Sequence, residues 1–502
     1  MSTDRTPEAY DDLLDSYRTV DYLGDAAGVL GWDQQVTMPE GGAPARAKQQ
    51  SAVSEARHDR LTDEGLAESL RAAEAAVDDL TDDQRANVRE IRAAYDRAAP
   101  VPGELVAETA EFTAESQRVW QTAKAEDEFE RFAPRLEGLR ELQVERAAHI
   151  GPGQPPYEVM YEDTESFLPL AKVETVFEEL KEGLVPLIDR IEADGETLPS
   201  PFAGDTYDEA DQAELSERVL DVLGYDRDHG RLDTSPHPFT SGTQFDARVT
   251  TRYEPDDPLD ALTATIHEFG HATYMLGLPT ERYGEPLGNA LDSGVHESQS
   301  RFWENHVGRT RPFWEHIVPE VRDALDGVDD LTAEAAHRAA NRIHPNNCIR
   351  VEADELTYHL HIILRAEIGR AFVAGEVDAA EIPRMWNEKM EAYLGVRPET
   401  DAEGCLQDIH WTGRFAAFHG YTIGSVLAAQ LDAAMREEVD DVDHKIRTGE
   451  FGPLRTWMEE NVHAHGRKYG TDELAERATG EPLTAEYFLD YVEEKFTDLY
   501  GL

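Results

Sequence analysis

The stretch that decides the fold lies near the middle of the chain, where residues 245–277 read FDARVTTRYEPDDPLDALTATIHEFGHATYMLG. Its first nine residues alternate apolar or β-branched side chains with Asp, Arg and Thr, which is the period of a β-strand with one polar face. The capping run Pro255 to Pro258 follows, and Leu259 to Gly277 then predicts a helix that the glycine can end. The sequence therefore predicts a strand that leads directly into a helix.

That helix carries His267-Glu268-Phe269-Gly270-His271, which fits the pattern H-E-x-x-H. The two histidines lie one helical turn apart on one face, so both imidazoles can reach one cation. Glu268 lies beside them, where it can take a proton from a metal-activated water. Two surface histidines on an ordinary helix are the alternative, which the preceding strand disfavours. The motif predicts a zinc-type metallopeptidase that hydrolyses peptide bonds.

A catalytic zinc needs a third protein ligand and one open position. Tyr274 and Gly277 stand where the longer pattern H-E-x-x-H-x-x-G-x-x-H requires Gly and His, so the third ligand should be a carboxylate from a later helix. The candidates are Glu281, Glu285, Asp292, Glu297 and Glu304.

Position along the chain separates these candidates only in part. Glu281 and Glu285 lie in the connecting turn, and Asp292 is better explained as a helix cap. Glu297 lies inside the next helix, where Arg301, one turn on, can orient it. Spacing alone favours Glu297 but leaves Glu304 open.

The rest of the chain has mainly helical periodicity. Between Tyr10 and about residue 230 apolar residues recur at spacings of three and four, and helical pattern resumes at Asp292 to Val307 and continues to the C-terminus. The breaks are short and are not Ser/Gly-rich, so none is a flexible linker. We expect a mainly α fold with one small β-sheet, built as a single unit over 1–502 with a helical part (1–230) and a metal- and substrate-binding part (231–502).

The charge balance is extreme. Asp and Glu total 103 against 47 Lys and Arg, a formal net charge of −56. Such an excess destabilises a compact state at low salt and is screened at high salt, so the composition predicts a protein of a high-salt cytoplasm. A nucleic-acid mimic or acidic partner surface is the rival, but its acids would be concentrated in one block. No basic stripe is available for binding nucleic acid.

The sequence also predicts the compartment. The two cysteines, Cys348 and Cys405, do not make a disulfide framework and suit a reducing interior. Met1 to Asp15 is acidic without an apolar run, so no signal peptide is expected. No run of 18 apolar residues exists, so no membrane span is expected. These features predict a cytoplasmic protein.

Several separated segments together resemble one known family. They are Gly31-Trp32-Asp33-Gln34, His237-Pro238-Phe239, Asp246-Ala247-Arg248-Val249-Thr250, His296-Glu297-Ser298-Gln299, Ile349-Arg350-Val351-Glu352-Ala353-Asp354 and Gly404-Cys405-Leu406-Gln407-Asp408-Ile409-His410-Trp411. In this order, with the H-E-x-x-H helix, they resemble the thermostable metallocarboxypeptidases of peptidase family M32, the carboxypeptidase Taq type. The resemblance covers nearly the whole chain.

The resemblance implies a zincin-like (gluzincin), saddle-shaped helical body with a deep groove, usually as a homodimer. It implies removal of single residues from peptide C-termini with broad preference, using zinc or cobalt. It makes Glu297 the expected third ligand and Glu268 the general base. It also implies that Arg350 binds the terminal carboxylate, which a guanidinium can do with two hydrogen bonds. Without the family, Arg350 would equally be read as a helix salt bridge to Asp354.

Other substrate contacts are expected from the same segments. We assign His237, Asp246, Arg248 and His410 to substrate binding, and we expect the strand at Asp246 to Thr250 to align extended substrate by edge pairing. Tyr421 is a candidate hydroxyl donor to the oxyanion, as is His410. Residues 416–421 depart from the family's Gly-Tyr-Phe-Pro-type segment, because the upstream tyrosine is replaced. This departure affects either specificity or the oxyanion arrangement.

Two other functions compete with a carboxypeptidase. A thimet-type endo-oligopeptidase carries a similar His-Glu-Phe-Gly-His helix but cuts inside peptides. A binding or chaperone protein with a structural metal would need a closed site of four ligands, and the sequence offers no fourth ligand.

Overall fold

The computed structural model of the protein describes residues 8–502, so the expectation of no signal peptide lies partly outside the described residues. The N-terminal part is helical. Its helices are α1 (Glu8–Val36), α2 (Ala43–Leu61), α3 (Glu64–Ala75), α4 (Asp82–Ala98), α5 (Gly103–Glu126), α6 (Phe129–Ile150), α7 (Pro156–Tyr161), α8 (Leu170–Asp194) and α9 (Glu209–Leu223). Local signals set their ends: Thr81 and Gln84 form a capping box at α4, and Gly224 ends α9 with a left-handed conformation.

One small sheet follows, built from β1 (Leu232–Thr234), β2 (Thr240–Thr243) and β3 (Asp246–Thr251). The strand order is β1-β3-β2, with β1 parallel and β2 antiparallel to β3. Ala247 and Val249 are fully buried, whereas Asp246 and Arg248 project from the opposite face. The predicted strand with one polar face is therefore confirmed.

The predicted edge pairing by β3 is wrong. Since β3 is the central strand, β1 and β2 already pair with both of its edges, and no main-chain edge is free for a substrate. β2, which lies at the outer edge, reads Thr-Ser-Gly-Thr. It has no apolar alternation, which is why the sequence did not reveal it.

The C-terminal part returns to helices. They are α10 (Pro258–Gly277), α11 (Ser293–Arg301), α12 (Arg311–Ala324), α13 (Ala333–Ala340), α14 (Thr357–Val373), α15 (Ile382–Leu394), α16 (His419–Glu438), α17 (Val442–Thr448), α18 (Gly452–Asn461), α19 (Thr471–Thr479) and α20 (Glu486–Tyr500). A π-helical segment, Phe302–Gly308, continues α11 without a break. Helix α10 begins where the Asp257 side chain accepts hydrogen bonds from the backbone N–H groups of Leu259 and Asp260, and it packs on β2 and β3.

Two hydrophobic cores hold these elements together. The main core runs from Trp120 to Tyr500 and includes the buried faces of β3 and α10, whereas a smaller core, from Tyr10 to Ile91, joins α1, α2, α3 and α4. The predicted mainly α fold with one small sheet beside the H-E-x-x-H helix is confirmed. The division near residue 230 stays a prediction. Among the described residues, no helix combines the length and apolar character that crossing a membrane requires.

Candidate active site

Helices α10 and α11 bring the side chains of three candidate metal ligands together. Nε2 of His271 lies 3.5 Å from Oε2 of Glu297, and Nε2 of His267 lies 3.8 Å from the same oxygen. One donor atom from each residue lies within 4.8 Å of the others. Two ligands of a tetrahedral zinc, each about 2.0–2.1 Å from the ion, lie about 3.3–3.4 Å apart. The donor set, two imidazoles and a carboxylate, therefore fits a catalytic zinc site with three protein ligands.

Glycines allow the helices to approach this closely. A Cβ atom at Gly270 would lie 2.5 Å from the carbonyl oxygen of Gln299 on α11. On the other side, a Cβ atom at Gly424 of α16 would lie 2.5 Å from both Cβ and Cγ of Glu297. Real Cβ contacts are not this short, so α11 is held between two helices that have no side chain at the contact points. Glu297 is placed by this packing.

We expect Gly424→Ala to displace Glu297 and weaken zinc binding by about 10- to 100-fold, the range for residues that orient metal ligands. Titration of the metal-free protein with zinc against a competing chelator would measure the change. Gly31→Ala is the matched control, because Gly31 is also helical but has nothing within 4 Å of its would-be Cβ. The control should keep zinc affinity and gain about 0.5–1 kcal/mol of stability. Equal zinc affinity in both variants would contradict the packing argument.

Glu304, the other candidate ligand, contacts a different atom of His267. Its Oε2 lies 2.9 Å from Nδ1 of that ring, on the side away from the donor set. Arg301 and Arg309 donate to the same carboxylate at 3.1 and 2.9 Å. Burial favours the neutral acid, but these two arginines hold the pKa of Glu304 well below its usual range. Glu304 is therefore a carboxylate that orients the imidazole of His267, a candidate metal ligand.

At His267 and Glu297, as at Glu304, neighbouring charges outweigh the effect of burial on the pKa. Burial disfavours a charged His267, but Glu297 and Glu304 outweigh it and raise the pKa of His267. Burial also opposes ionisation of Glu297, yet Arg301, which donates to its Oε1 at 2.8 Å, and His267 lower the pKa of Glu297. The site holds an ionised carboxylate ready for a cation.

The Nδ1 side of His271 faces another histidine, where the corresponding side of His267 faces Glu304. Its Nδ1 lies 2.6 Å from Nδ1 of His296, the residue before Glu297. Burial and the neighbouring His271 lower the pKa of His296 to about 3, so His296 is neutral. We assign the shared proton to His271, which donates to His296 and keeps Nε2 free for a metal.

The remaining candidate ligands are used elsewhere. Glu281 is exposed, and Glu285 pairs with Arg18 at 3.1 Å. Asp292 is the residue directly before α11, but its carboxylate does not cap that helix. It accepts instead from the backbone N–H of Ser166 at 2.6 Å, which corrects the cap interpretation.

Glu268 is held by a residue that the sequence did not single out. The hydroxyl of Thr240, the first residue of β2, donates to Oε2 of Glu268 at 2.6 Å and also lies 3.0 Å from the Glu268 carbonyl oxygen. Glu268 is only 5% exposed. The outer strand therefore fixes the carboxylate beside the two histidines. Because β2 itself gave no signal, nothing in the sequence could have shown this contact.

Arg350 lies among aromatic side chains. Its Cζ is 5.5 Å from the ring centre of Phe418 and 5.9 Å from that of Tyr421. Burial opposes its charge, but Tyr358 and Asp408 outweigh burial and raise the pKa of Arg350, so it stays charged. Burial raises the pKa of Tyr421, whose hydroxyl therefore stays protonated and can donate. The structure thus brings Arg350 and Tyr421 together.

The salt-bridge interpretation of Arg350 is wrong. Arg350 begins a 3₁₀ turn (Arg350–Glu352), so the four-residue helical spacing to Asp354 does not apply. Asp354 accepts instead from the backbone N–H groups of Leu356 and Thr357, both at 3.0 Å. The carboxylate stabilises the start of α14 and leaves Arg350 without a charge partner in the described salt bridges.

His410 lies beside the same aromatic group and has its own carboxylate. Its Nδ1 lies 2.8 Å from Oδ1 of Asp408, and its ring centre lies 4.8 Å from that of Phe418. Arg365, fully buried, donates to the other oxygen of Asp408 at 2.6 Å. Burial opposes ionisation, but Arg365 lowers the pKa of Asp408. Asp408 therefore fixes the ring so that Nε2 of His410 points away from it.

Tyr358 connects the two groups, and the sequence did not single it out either. Cζ of Arg301, the partner of Glu297, lies 4.8 Å from the centre of its ring. The same ring lies 6.2 Å from that of Tyr421 in an edge-on arrangement. The candidate metal site and the aromatic group around Arg350 are therefore neighbours.

The residues predicted from the sheet are placed differently. His237 is exposed in the loop before β2. Arg248 donates to Asp246 at 2.5 Å, and its Cζ lies 4.6 Å from the ring centre of buried Trp32. Arg231 lies over the same ring at 5.4 Å. Asp246 and Arg248 thus help to join α1 to the sheet, and their contact with substrate stays a prediction.

A family model, two curated proteins and a solved structure that resemble this chain are all described as carboxypeptidases. The family model described as "Carboxypeptidase Taq (M32) metallopeptidase" matches residues 12–496. The chain is 38% identical to thermostable carboxypeptidase 1 of Thermus thermophilus, over 99% of this chain and 100% of that protein. It is 35% identical to carboxypeptidase 1 of Bacillus subtilis over 98% of each. The M32 carboxypeptidase structure from Deinococcus radiodurans superposes with a TM-score of 0.94 at 37% identity, covering 99% of this chain and 100% of that one.

Proposed function

Because the chain belongs to the carboxypeptidase Taq (M32) family of metallopeptidases, we propose that it removes single residues from peptide C-termini with broad preference. The observation that carries the proposal is the meeting of His267, His271 and Glu297 within 4.8 Å, with Glu268 in the same helical turn. The catalytic unit is the whole chain, with a helical part (1–230) and a metal- and substrate-binding part (231–502).

We assign the metal site to His267, His271 and Glu297, with zinc as the resident ion and cobalt as a functional substitute. A divalent ion bound there supplies Lewis-acid activation of water and of the scissile carbonyl. Glu304 and His296 hold the two imidazoles in orientation from behind. Arg301 fixes the carboxylate of Glu297.

Glu268 is the general base in this proposal. Held by the Thr240 hydroxyl, it takes the proton of the attacking water and then delivers it to the leaving amine. Tyr421 or His410 stabilises the oxyanion: the protonated Tyr421 phenol can donate a hydrogen bond directly, whereas His410, whose Nδ1–H is held by Asp408, donates from Nε2 when its ring carries both protons. Arg350 binds the C-terminal carboxylate. Extended substrate pairs with the outer edge of β2, with which no strand of the described residues pairs, in place of β3.

Analysis of products tests this function directly. The purified protein is incubated in molar salt with a peptide mixture, with zinc and then with cobalt, and products are identified by mass. We expect a ladder of single C-terminal losses. Peptides with amidated C-termini should resist, because Arg350 then lacks a charged partner. Internal cuts, also in amidated peptides, would favour a thimet-type endopeptidase, and no cleavage at all would favour a binding protein with a structural metal.

We also propose that the enzyme works in the high-salt cytoplasm of a halophile. A net charge of −56 repels itself, and the Debye length shortens from about 10 Å at 0.1 M salt to about 3 Å at 1 M. We therefore expect the unfolding temperature to rise between about 0.1 M and 2 M KCl. Circular dichroism melts would measure it, with sucrose at equal osmolality as a control for general exclusion effects. An unfolding temperature that falls or stays constant with KCl would contradict halophilic adaptation.

We propose a homodimer as the working form. Sedimentation equilibrium in molar KCl should then give twice the chain mass of 56.2 kDa. A single-chain mass at micromolar concentration would contradict the dimer and leave the catalytic proposal unchanged.

A further inference from the structure

A buried carboxyl group outside the metal site contacts the helix that carries Glu297. Glu165 lies in the loop between α7 and α8, in the N-terminal part of the chain, and is fully buried. Its Oε1 accepts from the backbone N–H of Gly294 at 2.7 Å, and its Oε2 has no hydrogen-bond partner among the described residues. The catalytic steps above do not use this group, although burying a carboxyl group with one unpaired oxygen is costly.

The contact supplies a hydrogen-bond acceptor for the backbone at the start of α11. The first N–H groups of a helix have no partner within the helix, and a side chain at the residue before it usually accepts from them. Asp292 holds that position but makes no such bond. The carbonyl oxygen of Thr164 accepts from Ser293 at 3.0 Å, and Glu165 accepts from Gly294. The loop at 164–166 thus replaces the missing cap.

The same loop also holds Asp292 from the other side. Ser166 donates to Asp292 through its backbone N–H at 2.6 Å and through its hydroxyl at 3.2 Å. Arg467 donates to the same carboxylate at 2.8 Å. Three consecutive loop residues, 164–166, therefore contact three consecutive residues, 292–294, at the start of α11.

Close packing against α16 restricts the position of the Glu165 side chain. A Cβ atom at Gly420 of α16 would lie 2.9 Å from Oε1 of Glu165, so a side chain there would displace it. Burial and the nearby Asp292 raise the pKa of Glu165 well above its usual range, which favours the neutral form of the group. A neutral carboxyl can accept from Gly294 without placing a second charge next to Asp292.

We infer that Glu165 is a positioning residue for the third metal ligand, because it fixes the start of α11 from the N-terminal part of the chain. Glu297 lies four residues after Ser293, about 6 Å along the helix axis. Helix α11 has only nine residues before the π-helical segment, so a shift at its start moves Glu297 relative to the two histidines. This inference rests on the proposed role of Glu297 as a ligand.

The positioning role of Glu165 is tested by measuring the zinc affinity of the folded protein. The metal-free chain is titrated with zinc against a competing chelator. Glu165→Leu removes the acceptor and should weaken zinc binding by about 10- to 100-fold, as loss of a ligand-orienting group does. Glu165→Gln keeps an acceptor for Gly294 and should restore affinity close to that of the parent chain. The visible spectrum of the cobalt form should change in the leucine variant and not in the glutamine variant. If Glu165→Leu does not fold, Glu165→Asp, one methylene shorter, makes the same test.

Two controls distinguish a positioning role from a general loss of stability and from an error in the ligand set. Leu70→Ala, in the smaller core, should lower the unfolding temperature without changing zinc affinity. If Glu165→Leu or Glu165→Asp likewise loses stability but binds zinc as the parent does, the inference is wrong. Glu297→Gln belongs in the same titration: unchanged affinity there would overturn the proposed ligand set itself. Weakened affinity in Glu297→Gln with parental affinity in the Glu165 variants would overturn only the positioning role.

Discussion

The Glu268→Gln enzyme should lose roughly 10²- to 10⁴-fold in kcat on peptide substrates while it keeps its zinc. Glutamine has the same shape, and its amide oxygen can still accept from Thr240, whose hydroxyl lies 2.6 Å from the native carboxylate. It cannot take a proton from water. Single-turnover rates on a short peptide, together with metal analysis of the same sample, would measure both quantities.

Variants at Thr240 provide the matched comparison. Thr240→Ser keeps the hydroxyl and should retain most activity, whereas Thr240→Val frees the Glu268 carboxylate from its only side-chain donor among the described hydrogen bonds. We expect the valine variant to lie between the parent and Glu268→Gln in kcat. Parental turnover by Glu268→Gln would remove Glu268 from the role of general base.

The Arg350→Met enzyme should lose its preference for a free C-terminal carboxylate. Truncating one partner of a buried charge pair costs about 2–5 kcal/mol, which corresponds to a roughly 30- to 5,000-fold fall in kcat/KM. The fall should appear with free-acid peptides and be nearly absent with the same peptides amidated. The measurement is therefore a cycle of two enzymes and two substrates, which isolates the guanidinium–carboxylate pair from general damage.

Arg414→Met is the control for that cycle. Arg414 lies on the same stretch of chain as Phe418 and Tyr421, but its side chain is exposed. Its replacement therefore removes a nearby positive charge without affecting a buried guanidinium. We expect it to change kcat/KM little, and equally for both substrates. If Arg350→Met lowers activity on free and amidated peptides by the same factor, Arg350 does not bind the terminal carboxylate.

The central part of the fold followed from local sequence patterns. Alternation at residues 246–251 gave β3, and the capping run and Gly277 gave α10 within one residue. The alternation of polar and apolar residues in β3 does not show which strands pair with its two edges. β1 has three residues and β2 four, too short for a periodic signal, so the sequence placed β3 at an edge when it is central.

The choice between the two candidate third ligands shows a similar limit of sequence patterns. Glu297 and Glu304 are seven residues apart, close to two full helical turns, so both lie on nearly the same face of an ideal helix. The chain changes from α to π geometry at Phe302, between the two. The wider turn moves Glu304 onto Nδ1 of His267, whereas Glu297 meets Nε2. No spacing rule predicts where a π-helical segment begins.

Contacts between distant parts of the chain were the least predictable. Thr240 reaches Glu268 across 28 residues, and Glu165 reaches Gly294 across 129. Neither residue belongs to a recognisable motif. Each is decided by tertiary packing, which local patterns do not report.

The smaller hydrophobic core has a consequence for how the molecule opens. Partly exposed polar pairs join α4 to the body around the candidate metal site, among them Asp83 with Arg282 and with Lys468, each at 2.7 Å. Such contacts exchange readily for water, so helices α2 and α3 can open without disturbing the main core. Hydrogen exchange should therefore show two classes of amide: those of α10, α11 and α16 slow when zinc is added, whereas those of α2 and α3 exchange at a rate that zinc does not change.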